Sequence, residues 1–188
     1  MKTLGTFIGT IGLIAAAAWS AHADGILSFG AGPAIPVNAG ENGPPTGLDV
    51  GLSYGWFAGN ALVGVETGYG GWRTSEGGPY FYTTDNTRLD SVPLLFDLKF
   101  PYARRSRTAA YASCGFGAWT YTSHLAGTHG SLHAGAGVHH AFSEHAGFGF
   151  ELVYNLLDSN VNSPTTSSSN SQWVTLRANL LFGDFGPR

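Results

Sequence analysis

Between Gly147 and Leu157 the chain reads GFGFELVYNLL, and its side chains sort by parity. Phe148, Phe150, Leu152, Tyr154 and Leu156 fall on one set of alternate positions; Gly149, Glu151, Val153 and Asn155 fall on the other. A repeat of two is the mark of an extended strand whose faces meet different surroundings. Seven more segments can be read this way. ILSFGAGPAI sets Leu27, Phe29, Ala31 and Ile35 against Ser28, Gly30 and Gly32, and TGLDVGLSYGWF sets Leu48, Val50, Leu52, Tyr54 and Trp56 against Gly47, Asp49, Gly51, Ser53 and Gly55. From Ala61 to Trp72, Val63, Val65 and Tyr69 oppose Gly64, Glu66, Gly68 and Gly70; in SVPLLFDLKF, Val92, Leu94, Phe96, Leu98 and Phe100 oppose Asp97 and Lys99. SLHAGAGVHHAF has Leu132, Ala134, Ala136 and Val138 against His133, Gly135, Gly137 and His139, while the last segment has Val174, Leu176, Ala178, Leu180 and Phe182 against Thr175, Arg177 and Asn179. One segment, from Thr108 to Tyr121, is ambiguous: Ala, Cys and Phe alternate with Tyr, Ser and Gly, and neither face is clearly polar.

The connections alternate in length. PVNAGENGPP, RTSEGGPYFYTTDN, SHLAGTHG and DSNVNSPTTSSSNS follow the odd-numbered segments, whereas the tighter AGN, PYARRSR and SEHA follow the even-numbered ones. Long polar loops at one end and short turns at the other describe an up-and-down meander across a membrane. A Greek-key sandwich has no reason to alternate so regularly.

The Gly-rich parity decides which face is wet. An eight-stranded barrel has an interior only wide enough for side chains to fill, which suits small residues and a few polar ones. The other parity carries large aliphatics over about ten residues, enough to cross a bilayer at a tilt of about 45°. Asp49, Glu66, Asp97, Lys99, Glu151 and Arg177 all lie on the small-and-polar parity. A soluble barrel would exchange these preferences. The expected fold is therefore all-β, an eight-stranded antiparallel up-and-down transmembrane barrel with its apolar face in lipid.

Composition agrees. Only 11% of the 188 residues are charged, against about a quarter in a typical soluble domain. A net charge of −3 excludes a strongly basic nucleic-acid binder, and one cysteine, Cys114, excludes an intramolecular disulfide framework. Cys114 is expected to pack as a small apolar side chain. Residues 1–23 combine Lys2, an apolar run from Leu4 to Trp19 and Ala21-His22-Ala23, the pattern of a secretory signal peptide cut after Ala23. Residues 24–188 would form the barrel domain. Two aromatic groups, Trp56, Phe57, Phe100, Tyr102 and Phe142 near the short turns and Tyr69, Trp72, Trp119, Tyr121 and Trp173 near the long loops, have the spacing of girdles at two membrane interfaces.

With its leader, its eight alternating segments and stretches such as SVPLLFDLKF and HAGAGVHHAF followed by GFGFELVYN, the chain resembles the small bacterial outer-membrane barrels of the OmpA/OmpX type. The resemblance implies a monomeric barrel in the outer membrane, in contact with membrane lipid and lipopolysaccharide. It implies no cofactor, and a non-enzymatic role in envelope integrity or in surface interaction through four long loops, where an extracellular ligand would bind. It also implies a terminal aromatic used in assembly, for which Phe182 or Phe185 serves, although Gly-Pro-Arg follows. Pro93 interrupts an ideal ladder and suggests a bulge.

Candidate chemistry is sparse. His124, His129, His133, His139, His140 and His145 lack a compact metal-ligand spacing, and His139 and His140 must face opposite ways. Some barrels of this kind hydrolyse acyl chains of lipid A; Ser143 with His140 and Glu144, or Ser123 with His124, supplies the residue types, but the expected His-x-Ser-Asn pattern is absent from LVYNLLDSN. A narrow pore is the remaining alternative, disfavoured because eight strands leave little lumen. Arg104, Arg105 and Arg107 form one basic cluster suited to anionic headgroups. In the interior, centring the last two hairpins on their connections brings His139, Glu151 and Arg177 onto neighbouring rungs, so a His139–Glu151–Arg177 ladder is expected, with Glu66 and Asp97 as further interior charges. Thr175→Asn, on the wet face, is expected to be mild.

Overall fold

The computed structural model describes residues 25–37, 47–73, 88–103, 106–122, 127–157 and 171–185. The leader, the long connections, Arg104, Arg105, Ser123 and His124 lie outside the described residues. Eight strands follow in order: β1 (Gly25–Pro36), β2 (Gly47–Ala58), β3 (Ala61–Arg73), β4 (Arg88–Phe100), β5 (Thr108–Tyr121), β6 (Gly127–Ala141), β7 (Ala146–Leu157) and β8 (Ser171–Gly183). Each pairs antiparallel with its neighbour in sequence, and β8 pairs with β1, closing the barrel. Closure removes both sheet edges and satisfies the backbone between strands, the condition for strands to lie in lipid.

The tight turns have local causes. Ala58 pairs with Ala61, leaving Gly59-Asn60 as a two-residue hairpin loop. Gly59 adopts φ 63°, a left-handed conformation that costs glycine nothing. On β6 and β7 the Ser143 hydroxyl accepts the backbone N–H of Ala146 at 2.9 Å and that of His145 at 3.3 Å, holding the 142–145 turn.

The faces follow parity throughout. On β8, Leu176, Leu180 and Phe182 are about half exposed (49%, 51% and 50%), while Thr175, Arg177 and Asn179 are buried inside (0%, 6% and 6%). Large apolar side chains on the outside of a closed barrel are the arrangement of a membrane barrel and the inverse of a soluble one. β5 resolves its ambiguity in favour of Tyr111, Ser113, Trp119 and Tyr121 inside; Cys114 and Phe116 face out. Cys114 is thus exposed on the outer wall instead of packed in a core.

Pro93 does not create a bulge. β3 and β4 keep one register on both sides of it, from Leu62↔Lys99 to Thr67↔Leu94 and again from Gly70↔Ser91 onward. The Thr67 hydroxyl donates to the Pro93 carbonyl at 2.9 Å, and the Ser91 hydroxyl donates to the Gly70 carbonyl at 3.1 Å. Side-chain hydroxyls thus reinforce the ladder beside a residue that has no N–H to give.

Candidate functional site: a sealed lumen

The inward side chains form three layers. At the short-turn rim Ile26, Leu62, Tyr102, Tyr111, Ala141, Leu181 and Phe185 pack together, with Phe57 against them. At the long-loop rim Ala34, Leu95, Trp119, Tyr121, Leu157 and Trp173 form a second apolar layer. Charged groups occupy the space between.

The aromatic residues therefore divide in a way their positions along the strands did not announce. Trp56, Phe100 and Phe142 face out near the short turns, as a girdle requires. Phe57, Tyr102, Trp119, Tyr121 and Trp173 do not: their side chains turn inward and close the barrel at its two ends. Trp119 and Trp173 meet edge to face with ring centroids 5.2 Å apart. Trp119 is 1% exposed, so it is a core residue. Tyr69 does face outward and hydrogen-bonds Asp90; the Trp72 side chain lies outside the described residues. Phe182 is the outward aromatic of the last strand, whereas Phe185 turns into the short-turn layer.

The middle layer holds two ion clusters. In the first, the Arg177 guanidinium lies 2.9 Å from Asp49 and 2.8 Å from Glu66. Arg177 belongs to β8 and its partners to β2 and β3, so its side chain must pass over β1. Gly30 makes that passage: a β-carbon there would stand 2.6 Å from Arg177 Cδ and 2.0 Å from Asn179 Oδ1. Thr175 donates to the other Asp49 oxygen at 3.3 Å and accepts from the Asn155 amide at 3.4 Å. In the second cluster Lys99 meets both Glu151 oxygens at 2.9 and 3.1 Å and Asp97 at 3.4 Å; His133 Nε2 lies 3.2 Å from Asp97. Lys99 is on β4 and Glu151 on β7, so this pair spans the lumen.

The expected ladder is corrected at its contacts. Glu151 stands opposite Arg177 in the β7–β8 register and both turn inward. His139 pairs with Gly149, one rung from Glu151 on the same face. Yet Glu151 gives both oxygens to Lys99, and Arg177 takes the two carboxylates on β2 and β3. His139 belongs to the short-turn aromatic layer, its ring flat against Tyr102 (centroids 4.5 Å apart, planes 15° apart). Glu66 and Asp97 lie in the charged layer. Lys99 and Asp49, which complete the two clusters, could have been found from parity, but their partners could not, because the contacts skip strands. Burial pushes the Tyr102 phenol well above its ordinary range, against the opposing pull of Lys99.

Of the hydrolytic candidates, Ser143 and His140 are not brought together, and Ser123 and His124 lie outside the described residues. Ser143 Oγ is engaged by its own turn, and His140 Nδ1 lies 2.6 Å from Thr108 Oγ1 on the outer wall. Among the described residues no group of three His, Cys, Asp or Glu side chains could hold a metal ion.

A closed antiparallel meander of eight strands has counterparts among solved structures. The structure is similar to Neisserial surface protein A, at 14% identity over 84% of this chain and 96% of that one, with a TM-score of 0.57. It is likewise similar to the outer-membrane protein OprG from Pseudomonas aeruginosa, at 12% identity over 86% and 97% of the two chains, with a TM-score of 0.52. The fold is that of a small outer-membrane β-barrel. At these identities the likeness speaks for the fold alone. No protein-family model matches the chain, and no curated protein matches it significantly.

Proposed function

We propose that this protein is a non-enzymatic barrel of the bacterial outer membrane, exported by its leader, monomeric, and acting in envelope integrity or in surface interaction through its long loops. The observation that carries this reading is the filled lumen: an aromatic layer at each rim and ion-paired side chains between them. A lumen filled in this way argues against a wide pore, and the separate engagements of Ser143 and His140 argue against acyl hydrolysis by that pair. The remaining surfaces are the outer wall, which suits lipid, and the rim from which all four long connections leave. Outer-membrane lipid and lipopolysaccharide are the partners such a wall would contact, and an extracellular ligand would meet the loops first.

Cell fractionation with surface proteolysis tests the reading. The protein should enter the outer-membrane fraction, with residues 40–45, 75–86 and 159–170 cut or labelled in intact cells and a tag at residues 58–60 hidden. Equal labelling of both sets would reject the topology. Unchanged lipid A mass spectra with and without the protein would accompany the non-enzymatic reading; loss of an acyl chain would reject it.

A further inference from the structure

The two apolar layers are built differently. Trp119, Tyr121, Trp173, Leu157, Leu95 and Ala34 all sit on strands, each in register with a neighbouring strand on both sides. Their backbones are fixed in the barrel wall, so only side-chain rotation is open to them. In the short-turn layer Phe185 follows β8 and Tyr102 follows β4, so both lie beyond strand ends; Tyr102 belongs to the connection to β5 and borders the space behind the layer. Its backbone is tied by one bond across the rim, from its N–H to the Asn60 carbonyl at 2.7 Å. Its ring nevertheless reaches into the barrel and is 3% exposed. It lies against His139, with Tyr111 at 5.3 Å and Phe57 at 6.0 Å between ring centroids.

Directly behind Tyr102 is a small chamber of mixed lining, with Ser28, Ser53, Asp97, Lys99 and Asn179 beside the apolar Ile26, Leu62, Val65 and Leu181. It has room for about one or two water molecules, and its walls offer hydroxyl, amide and charged partners of the kind that retain water. The Trp119–Trp173 layer lies beyond the ion clusters on the far side.

We infer that Tyr102 is a hinged stopper, through which water and small polar solutes enter this chamber from the short-turn side, and that the chamber is a dead end because the strand-borne layer at the opposite rim does not open. Swinging Tyr102 out requires the loss of one rim hydrogen bond and of ring contacts. Trp119 lacks that backbone freedom, because β5 is paired on both sides, and its ring can move only by rotating against Trp173 and its other packed neighbours. Local openings of connections are far less costly than those of ladder-bonded strands.

The test places a thiol in the chamber with Ser53→Cys, in a Cys114→Ala background so that no other thiol is present. The full chain is inserted in phospholipid vesicles, its orientation read by proteolysis of the long loops, and a charged, membrane-impermeant methanethiosulfonate is added to one side at a time. Heat-modifiable gel mobility establishes that each variant is folded. The inference expects labelling from the short-turn side and none from the loop side. It also expects a rate raised about tenfold or more by Tyr102→Ala, since labelling tracks the open population, with no such gain from Trp119→Ala or Trp173→Ala. No labelling of the parent from either side would show a fixed plug and overturn the inference. So would comparable labelling from the loop side, indifference to Tyr102→Ala, or an equal gain from truncating either tryptophan. A chain that fails to insert at all would instead reject the membrane reading.

Discussion

At the scale of single residues, the lumen is governed by the cost of burying charge. A carboxylate withdrawn from water is tolerated only with a partner, and removing one member of a buried pair costs about 3–5 kcal/mol. Arg177 neutralises two carboxylates, Asp49 and Glu66, so Arg177→Met removes that cation from both and leaves Asp49 with the Thr175 hydroxyl. Its unfolding free energy, measured in urea with detergent micelles, is expected to fall by about that amount; a loss below about 1 kcal/mol would mean that the cluster is not the closed pair of contacts described here. Thr67→Val should cost about 1–3 kcal/mol, because the Pro93 carbonyl then loses its hydroxyl donor in a wall that faces lipid. Thr175→Asn is no longer expected to be mild: Thr175 is fully buried between Asn155 and Asp49, and a larger amide has no room there. Ser28→Asn, beside the chamber, is the tolerated polar change.

At the scale of elements, the faces were legible because each strand carries bulk on one parity and small or polar groups on the other. β8 shows the rule most simply, and it yields a direct expectation: Leu176→Arg or Val50→Arg, placing a cation against lipid, costs about 2–4 kcal/mol near the midplane. Indifference of refolding yield and stability to both would remove the face assignment. β5 was not legible, since Ala, Ser, Cys and Gly are compatible with either side; only pairing with β4 and β6 fixes its twist. The rim aromatics were misread for a related reason. Proximity to a strand end suits a girdle and a plug equally; parity groups Trp119 and Tyr121 with Tyr111 and Ser113, but only the pairing of β5 with β4 and β6 shows that this group turns inward. The interior partners were the least legible. Register along adjacent strands could be read from the hairpins, and it put Glu151 opposite Arg177. Lys99 reaching Glu151 from β4, and Arg177 reaching over Gly30 to β2 and β3, depend on how long side chains cross a narrow lumen, which no local pattern encodes.

For the molecule as a whole, closure and filling act together. The closed ladder satisfies the backbone without water, the outer wall offers lipid an apolar surface, and apolar layers and ion pairs fill the space between the rims. Planar bilayers holding the purified protein should show no discrete conductance steps; steady single-channel currents would contradict the sealed lumen. The most direct test of the account asks which face of one strand meets lipid. Nitroxide labels placed one at a time from Val174 to Phe182, with the protein in bilayers, report collisions with dissolved oxygen, which concentrates in the hydrocarbon. Oxygen accessibility is expected to peak at positions 174, 176, 178, 180 and 182 and to fall at 175, 177, 179 and 181. Peaks at the odd positions, or no alternation at all, would contradict it.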